Sequence, residues 1–220
     1  MKLEEVSYLG VPGVSQETQF LYKNVDSILN DESFSSDTAF DTIVKFIHHM
    51  MNNRIADGVL YSRLSSRCIT YREDFEGLRP EIDFYELGKE YLEHSKEEMN
   101  NYQSLMLLAQ EIGIACSLDF TLKDTANAKF ANPSDFIDFT QYREMMSIAE
   151  FYNLYRILLE TDILDDLDDE IQYDVIRAIR MSLETEIDHF EDFFDFSDIS
   201  GQEKFIELLS KVKDEIEEGF

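Results

Sequence analysis

Apolar residues recur along most of the chain at intervals of three and four, the period of a helix with one face turned inward. From Asp37 onward, Ile43, Ile47, Met50, Arg54, Asp57, Tyr61, Leu64 and Cys68 share such a face and predict a helix of about 30 residues. A connection over Ile69–Pro80 contains Gly77 and Pro80. A second long helix is expected from about Ile82 to Ile112, with Phe84, Leu87, Tyr91, Glu98, Tyr102, Leu105 and Ile112 near one face and Gly113 as its stop. Ile114 to Pro133 reads as a connection of about 20 residues. A third helix is predicted from Ser134 or Thr140 to Glu160, then an acidic turn over Asp162–Asp169, and a fourth from Asp169 to Phe194. Gly201 precedes a short terminal helix ending near Glu218.

Links between neighbouring helices of a bundle usually run to about 2–8 residues. Two helix pairs with short internal links, joined by one long connection, are therefore the layout of an all-α four-helix bundle with a single crossover. The start of the chain reads differently: Gly10, Pro12 and Gly13 break it, a short amphipathic stretch covers Gln16 to Leu29, and Asp31 to Asp37 is polar. The expected organisation is an N-terminal extension over 1–36, the bundle over 37–195 and a C-terminal helix within 196–220.

Polar residues interrupt the inward stripes at matching places. Glu98-Met-Asn-Asn101-Tyr102 lies in the second helix and Glu186-Ile-Asp-His189-Phe190 in the fourth, 88 residues apart. A Glu followed three residues later by His, on the inner face of a long helix, is one element of a carboxylate-bridged dinuclear metal centre. The second copy is intact; the first has Asn101 in place of His. The first helix carries Arg54 with Tyr61 seven residues on, and the third carries Ile148 with Tyr155 seven residues on.

In these features the chain resembles the ferritin-like superfamily, over roughly residues 37–195. The stretch Ser147-Ile-Ala-Glu-Phe-Tyr-Asn-Leu-Tyr155, followed by Leu183-Glu-Thr-Glu186-Ile-Asp-His189, is similar to the metal-bearing third and fourth helices of Dps-like and bacterioferritin-like bundles. Lys96-Glu-Glu98-Met-Asn-Asn101-Tyr102 resembles the second. The resemblance implies one Glu from each of two helices and a Glu and a His from each of the other two. Carried over, the single-Glu positions are Arg54 and Ile148, and the Glu/His positions are Glu98 with Asn101 and Glu186 with His189. Half of that ligand set is absent.

A buried carboxylate without a metal needs a proton or a cation, and one guanidinium can bridge two carboxylates. The sequence therefore predicts a buried network of Arg54, Glu98 and Glu186, with Asn101 and His189 completing the hydrogen bonds. The metal alternative draws on neighbours: Asp57, Glu98, Glu144, Glu186 and His189 as a non-standard centre for two iron or manganese ions. Tyr61 and Tyr155 would stand beside it. Adjacent His48 and His49 point in different directions and read as one surface and one boundary residue. His94 is placed at the flank of the second helix, where Glu90, four residues before it, offers a surface pair.

Charge changes the picture most. Nineteen basic against 47 acidic residues give a net charge of −28. Such a field repels nucleic acid and anionic membranes and attracts cations and basic proteins. From Thr161 to Phe220 there are 20 acidic and five basic residues, and Asp188–Asp198 interleaves carboxylates with Phe, which reads as an acidic face with aromatic anchors for a partner. Cys68 and Cys116 have no metal or disulfide spacing, the N-terminus has no apolar signal region, and no run reaches the roughly 18 apolar residues of a membrane span. A cytoplasmic protein with reduced thiols is expected. The leading expectation is a non-enzymatic bundle without a cofactor, whose acidic surface serves self-association or binding of a basic partner, including as a nucleic-acid mimic. The alternative is a di-iron or di-manganese protein of oxygen or peroxide chemistry or iron storage.

Overall fold

The computed structural model describes residues 39–114, 133–160, 164–165, 167–197, 205–206, 209–210, 212–214 and 216. Five helices form there: α1 (Ala39–Thr70), α2 (Arg72–Leu78), α3 (Phe84–Glu111), α4 (Pro133–Glu160) and α5 (Asp169–Phe194). Four span 26 to 32 residues; α2 has seven and lies where the sequence reads only as a connection. Its single buried residue, Phe75, packs against Phe84 and Phe136, and Arg72 lies over the Tyr85 ring of α3. The expected extension over 1–36 lies outside the described residues, as does Cys116.

The helix ends follow local chemistry. Asp83 caps α3 by accepting from the backbone N–H groups of Tyr85 and Glu86, and Asp168 caps α5 by accepting from Glu170. Gly113, at φ +76°, closes α3. There the N–H of Ile114 donates to Ala109 O and that of Gly113 to Gln110 O, the Schellman pattern.

Side-chain contacts set the directions of the four long helices. Arg54 reaches Glu98, Ser95 Oγ donates to Gly58 O and Ser65 Oγ to Gly88 O, so α1 and α3 are antiparallel. Arg143 on Asp57 and His49 on Glu150 set α4 antiparallel to α1. The pairs Asn101–Thr185, Glu97–His189 and His94–Asp192 do the same for α3 and α5. The Gln141 amide donating to Phe190 O, with Ser197 on Asp138, sets α4 against α5. Neighbours are thus antiparallel, and the diagonal pairs α1/α5 and α3/α4 run parallel.

The α1–α3 contact is close because small residues face each other. A Cβ added at Gly58 would stand 3.4 Å from Glu98 Cβ, and one at Gly88 would stand 3.2 Å from Cys68 Cβ. The bundle interior holds two apolar clusters. One contains Ile43, Ile47, Met50, Leu105, Ile148 and Leu183; the other contains Leu60, Leu64, Phe84, Leu87, Phe136 and Phe193. In the C-terminal segment, Phe205, Leu209, Val212 and Ile216 are buried at helical spacing and join the first cluster. The expected acidic face with aromatic anchors is corrected here. Phe190 and Phe193 are buried and Phe194 and Phe196 are half-buried against the clusters, because helical spacing turns them inward while the carboxylates stay out. Among the described residues no helix is long and apolar enough to cross a membrane.

Candidate buried charge centre

Arg54, Asp57, Glu98, Glu144, Glu186 and His189 are all buried in the bundle interior, each on the inward stripe of its helix. Arg54 is 1% exposed and is the centre's hub. Its Nη1 donates to Glu98 Oε1 and Oε2 at 2.9 and 3.0 Å and also to Glu186 Oε1, while Nη2 donates to Ser182 O at 3.3 Å. Its guanidinium stands 5.0 Å from the centre of the Phe151 ring. One cation thus joins carboxylates from α3 and α5 to the α1 helix that carries it.

Asp57 does not join this hub. Arg143, one residue before Glu144 on α4, donates to both Asp57 oxygens at 3.1 and 2.7 Å. Asp57 is therefore removed from the proposed ligand set by a neighbour that periodicity alone did not place, since Arg143 falls at the edge of the α4 stripe. Asn101 is a second correction. It is half-buried, and its Nδ2 donates to Thr185 Oγ1 at 3.4 Å on the outer side of the α3–α5 contact. The same three-residue spacing keeps His189 beside Glu186 at the centre, so the rotation of α3 against α5, not the spacing, sets Asn101 aside.

His189 stands between the centre and the surface. Nε2 pairs with Glu97 Oε2 at 3.0 Å, and Glu97 is exposed. The other nitrogen, Nδ1, faces inward, 3.5 Å from Glu98 Oε1 and 3.8 Å from Glu144 Oε2, too far for a good hydrogen bond to either. Glu144 is 1% exposed, and neither of its oxygens has a hydrogen-bond partner. Ile148, which the family pattern places at a ligand position, is buried in the apolar cluster one turn further along α4.

His94 lies deeper than a flank. It is buried, its ring stacks on that of His189 at 4.0 Å and 19°, and Nε2 pairs with Asp192 Oδ2 at 3.0 Å. The spacing of His94 one turn before Glu98 was the available signal. Tyr61 meets His189 edge-on at 6.1 Å and stacks on Tyr91, and Tyr155 is buried within the first apolar cluster. His48 and His49 are both half-buried, with His49 Nε2 against Glu150 at 3.0 Å.

Burial governs the protonation of these groups. Glu98 is pushed up to about 7 because desolvation outweighs the attraction of Arg54, and Glu186 is raised for the same reason with Glu144 beside it. Burial opposes a charged His189, but the carboxylates of Glu144 and Glu97 hold its pKa well above the ordinary value. His94 shifts down, through burial and the neighbouring His189. Burial pushes the Cys68 thiol up to about 12, so it is inert at neutral pH.

Outside His189, Glu97, Asn100, Asn101, Thr185, Asp188, Glu191 and Asp192 line an open groove of about 510 Å³ between α3 and α5. Three sets of residues bring ligand atoms within 4.8 Å of one another: Glu98, Glu186 and His189 at the centre; His94, Glu97 and His189; and Glu90, His94 and Asp192 towards the surface. A pair of metal ions does not fit the centre as it stands. Arg54 stands between the two carboxylates that would bridge the pair, and Ile148 and Asn101 offer it no ligand. Compared with known proteins, the chain matches no family model, no curated protein and no solved structure.

Proposed function

We propose that the chain is a ferritin-like bundle that works by binding rather than by two-metal catalysis, as an assembly unit or as the acidic receptor of a basic protein. The fold part of this reading rests on helix direction. The consecutive helices α3 and α4 run parallel, the arrangement expected of a bundle with a single crossover. The observation that carries the function is the Arg54 fork, which ties Glu98 and Glu186 to a fixed guanidinium instead of a second metal ion. With that centre locked, the remaining distinctive properties are on the surface. They are the charge of −28, the acidic groove between α3 and α5, and an apolar ridge of exposed Tyr85, Leu92 and Met99 at seven-residue intervals on α3. Apolar side chains repeating every seven residues on one outer helix face suit a second helix or a second copy.

Light scattering of the full chain in low and high salt, with and without a basic polypeptide, tests the reading. Self-association through the ridge should persist in salt and be lost in Leu92→Glu. Capture of the basic polypeptide should weaken steeply with salt, and weaken further when Asp188, Glu191 and Asp192 are neutralised. A monomer that captures the polypeptide equally well with the groove neutralised would sink both forms of the reading.

A further inference from the structure

The charges at the centre do not cancel among themselves. Arg143 neutralises Asp57 through a two-point contact. That leaves Glu98, Glu144 and Glu186 against Arg54, three carboxylates and one guanidinium, all at most 4% exposed. With all three carboxylates ionised and His189 neutral, two negative charges would remain in a water-poor interior, where an uncompensated carboxylate is expensive. The excess is localised: Glu144 is buried beside Glu186 and His189, and neither of its oxygens makes a hydrogen bond of ordinary length and angle.

His189 points to what completes the set. Its Nε2 is engaged by Glu97, so an ion that displaces the proton from Nδ1 would find a lone pair there among the carboxylates. Nδ1 has no hydrogen-bond partner either. Its distances of 3.5 and 3.8 Å to Glu98 and Glu144 are long for a shared proton. They suit donors held by one ion at about 2.0–2.2 Å, whose ligands lie up to ~4.4 Å apart. A carboxylate holding the outer nitrogen of a ligating His is also the usual support for such a ligand.

We propose that the centre binds a single divalent transition-metal ion of the Mn²⁺ or Fe²⁺ class, held by Glu98, Glu144, Glu186 and His189, with Arg54 as the permanent positive charge beside it. One 2+ ion balances the two uncompensated carboxylates, and the Arg54 fork excludes a second. Three carboxylates and an imidazole form a hard, oxygen-rich set suited to these ions. The acidic groove at Glu97, Asp188 and Asp192 is the approach from solvent, ending at the outer nitrogen of His189. The ligands and stoichiometry of this site do not rest on what the acidic surface binds.

The test titrates the chelator-treated full chain with Mn²⁺ in salt strong enough to suppress surface binding. Retained metal is counted after desalting, with paramagnetic resonance reporting the bound ion. One ion per chain is expected, with a rise in the thermal midpoint. Glu144→Gln keeps the shape and removes the unpaired charge; it should stay folded, lose the midpoint rise and bind at least tenfold more weakly. His189→Gln should behave likewise and serves if the first variant does not fold. Neutralising Asp188 and Glu191 should leave the stoichiometry at one. Retention of no ion, retention of two, or binding unchanged in Glu144→Gln and His189→Gln would overturn the proposal.

Discussion

At the scale of single residues, the centre shows how burial and pairing compete. Glu98 accepts two hydrogen bonds from Arg54 and still has its pKa raised to about 7, because one guanidinium serves two carboxylates while a third stands close by. A folded-state pKa above the ordinary 4.5 means that the folded chain holds this proton more tightly than the unfolded one. Its contribution to stability is complete below 4.5 and is lost as pH rises through about 7. Raised Glu186 and His189 have the same sign, whereas lowered His94 favours the fold above 6.5 and loses that contribution as pH falls. Above 6.5 the first three therefore act without opposition. The thermal midpoint of metal-free protein should fall between about pH 6.5 and 8, and Glu98→Gln should flatten that slope. A midpoint that is level or climbing in this interval would contradict the assignment.

At the scale of elements, the contact between α1 and α3 places Arg54 within reach of Glu98. It depends on Gly58 and Gly88, where the partner helix lies within van der Waals distance of the backbone. Gly88→Val would force apart side chains attached directly to the α1 backbone, and its expected cost is about 1–3 kcal/mol in urea unfolding. Gly77 in α2 has nothing within 4 Å of an added Cβ. There Gly77→Ala should raise stability by up to about 1 kcal/mol through helix propensity alone. Equal effects at the two positions would mean that packing at the α1–α3 contact is looser than the geometry requires.

At the scale of the whole molecule, a charge of −28 sets a repulsive background for every other interaction. The Debye length shrinks from about 30 Å at 0.01 M salt to about 8 Å at 0.15 M. Screening should therefore raise the thermal midpoint over that range, and a midpoint insensitive to salt would show that the exposed carboxylates are too far apart to repel. The same field concentrates cations around the chain, so binding at the surface should be sensitive to salt, whereas the proposed ion at the centre would be enclosed by buried ligands.

Periodicity in the sequence determined the four long helices and the inward stripe of α1, from Ile43 through Arg54 and Asp57 to Cys68, every member of which is buried. It also marked the caps that need particular residues, such as Gly113. A 3.6-residue period is a local property, so it is legible without a fold. Which polar residues meet is not local. Tertiary structure alone decided that Arg143 takes Asp57 and that Glu144, rather than Ile148, faces His189. It also decided that Asn101 turns out to Thr185 and that His94 stacks inside. Each outcome depends on the rotation and axial shift of one helix against another, and a shift of one turn exchanges a ligand for an apolar neighbour. The sequence carries the charges; helix packing chooses which of them meet and sets Glu144 beside Glu186 and His189.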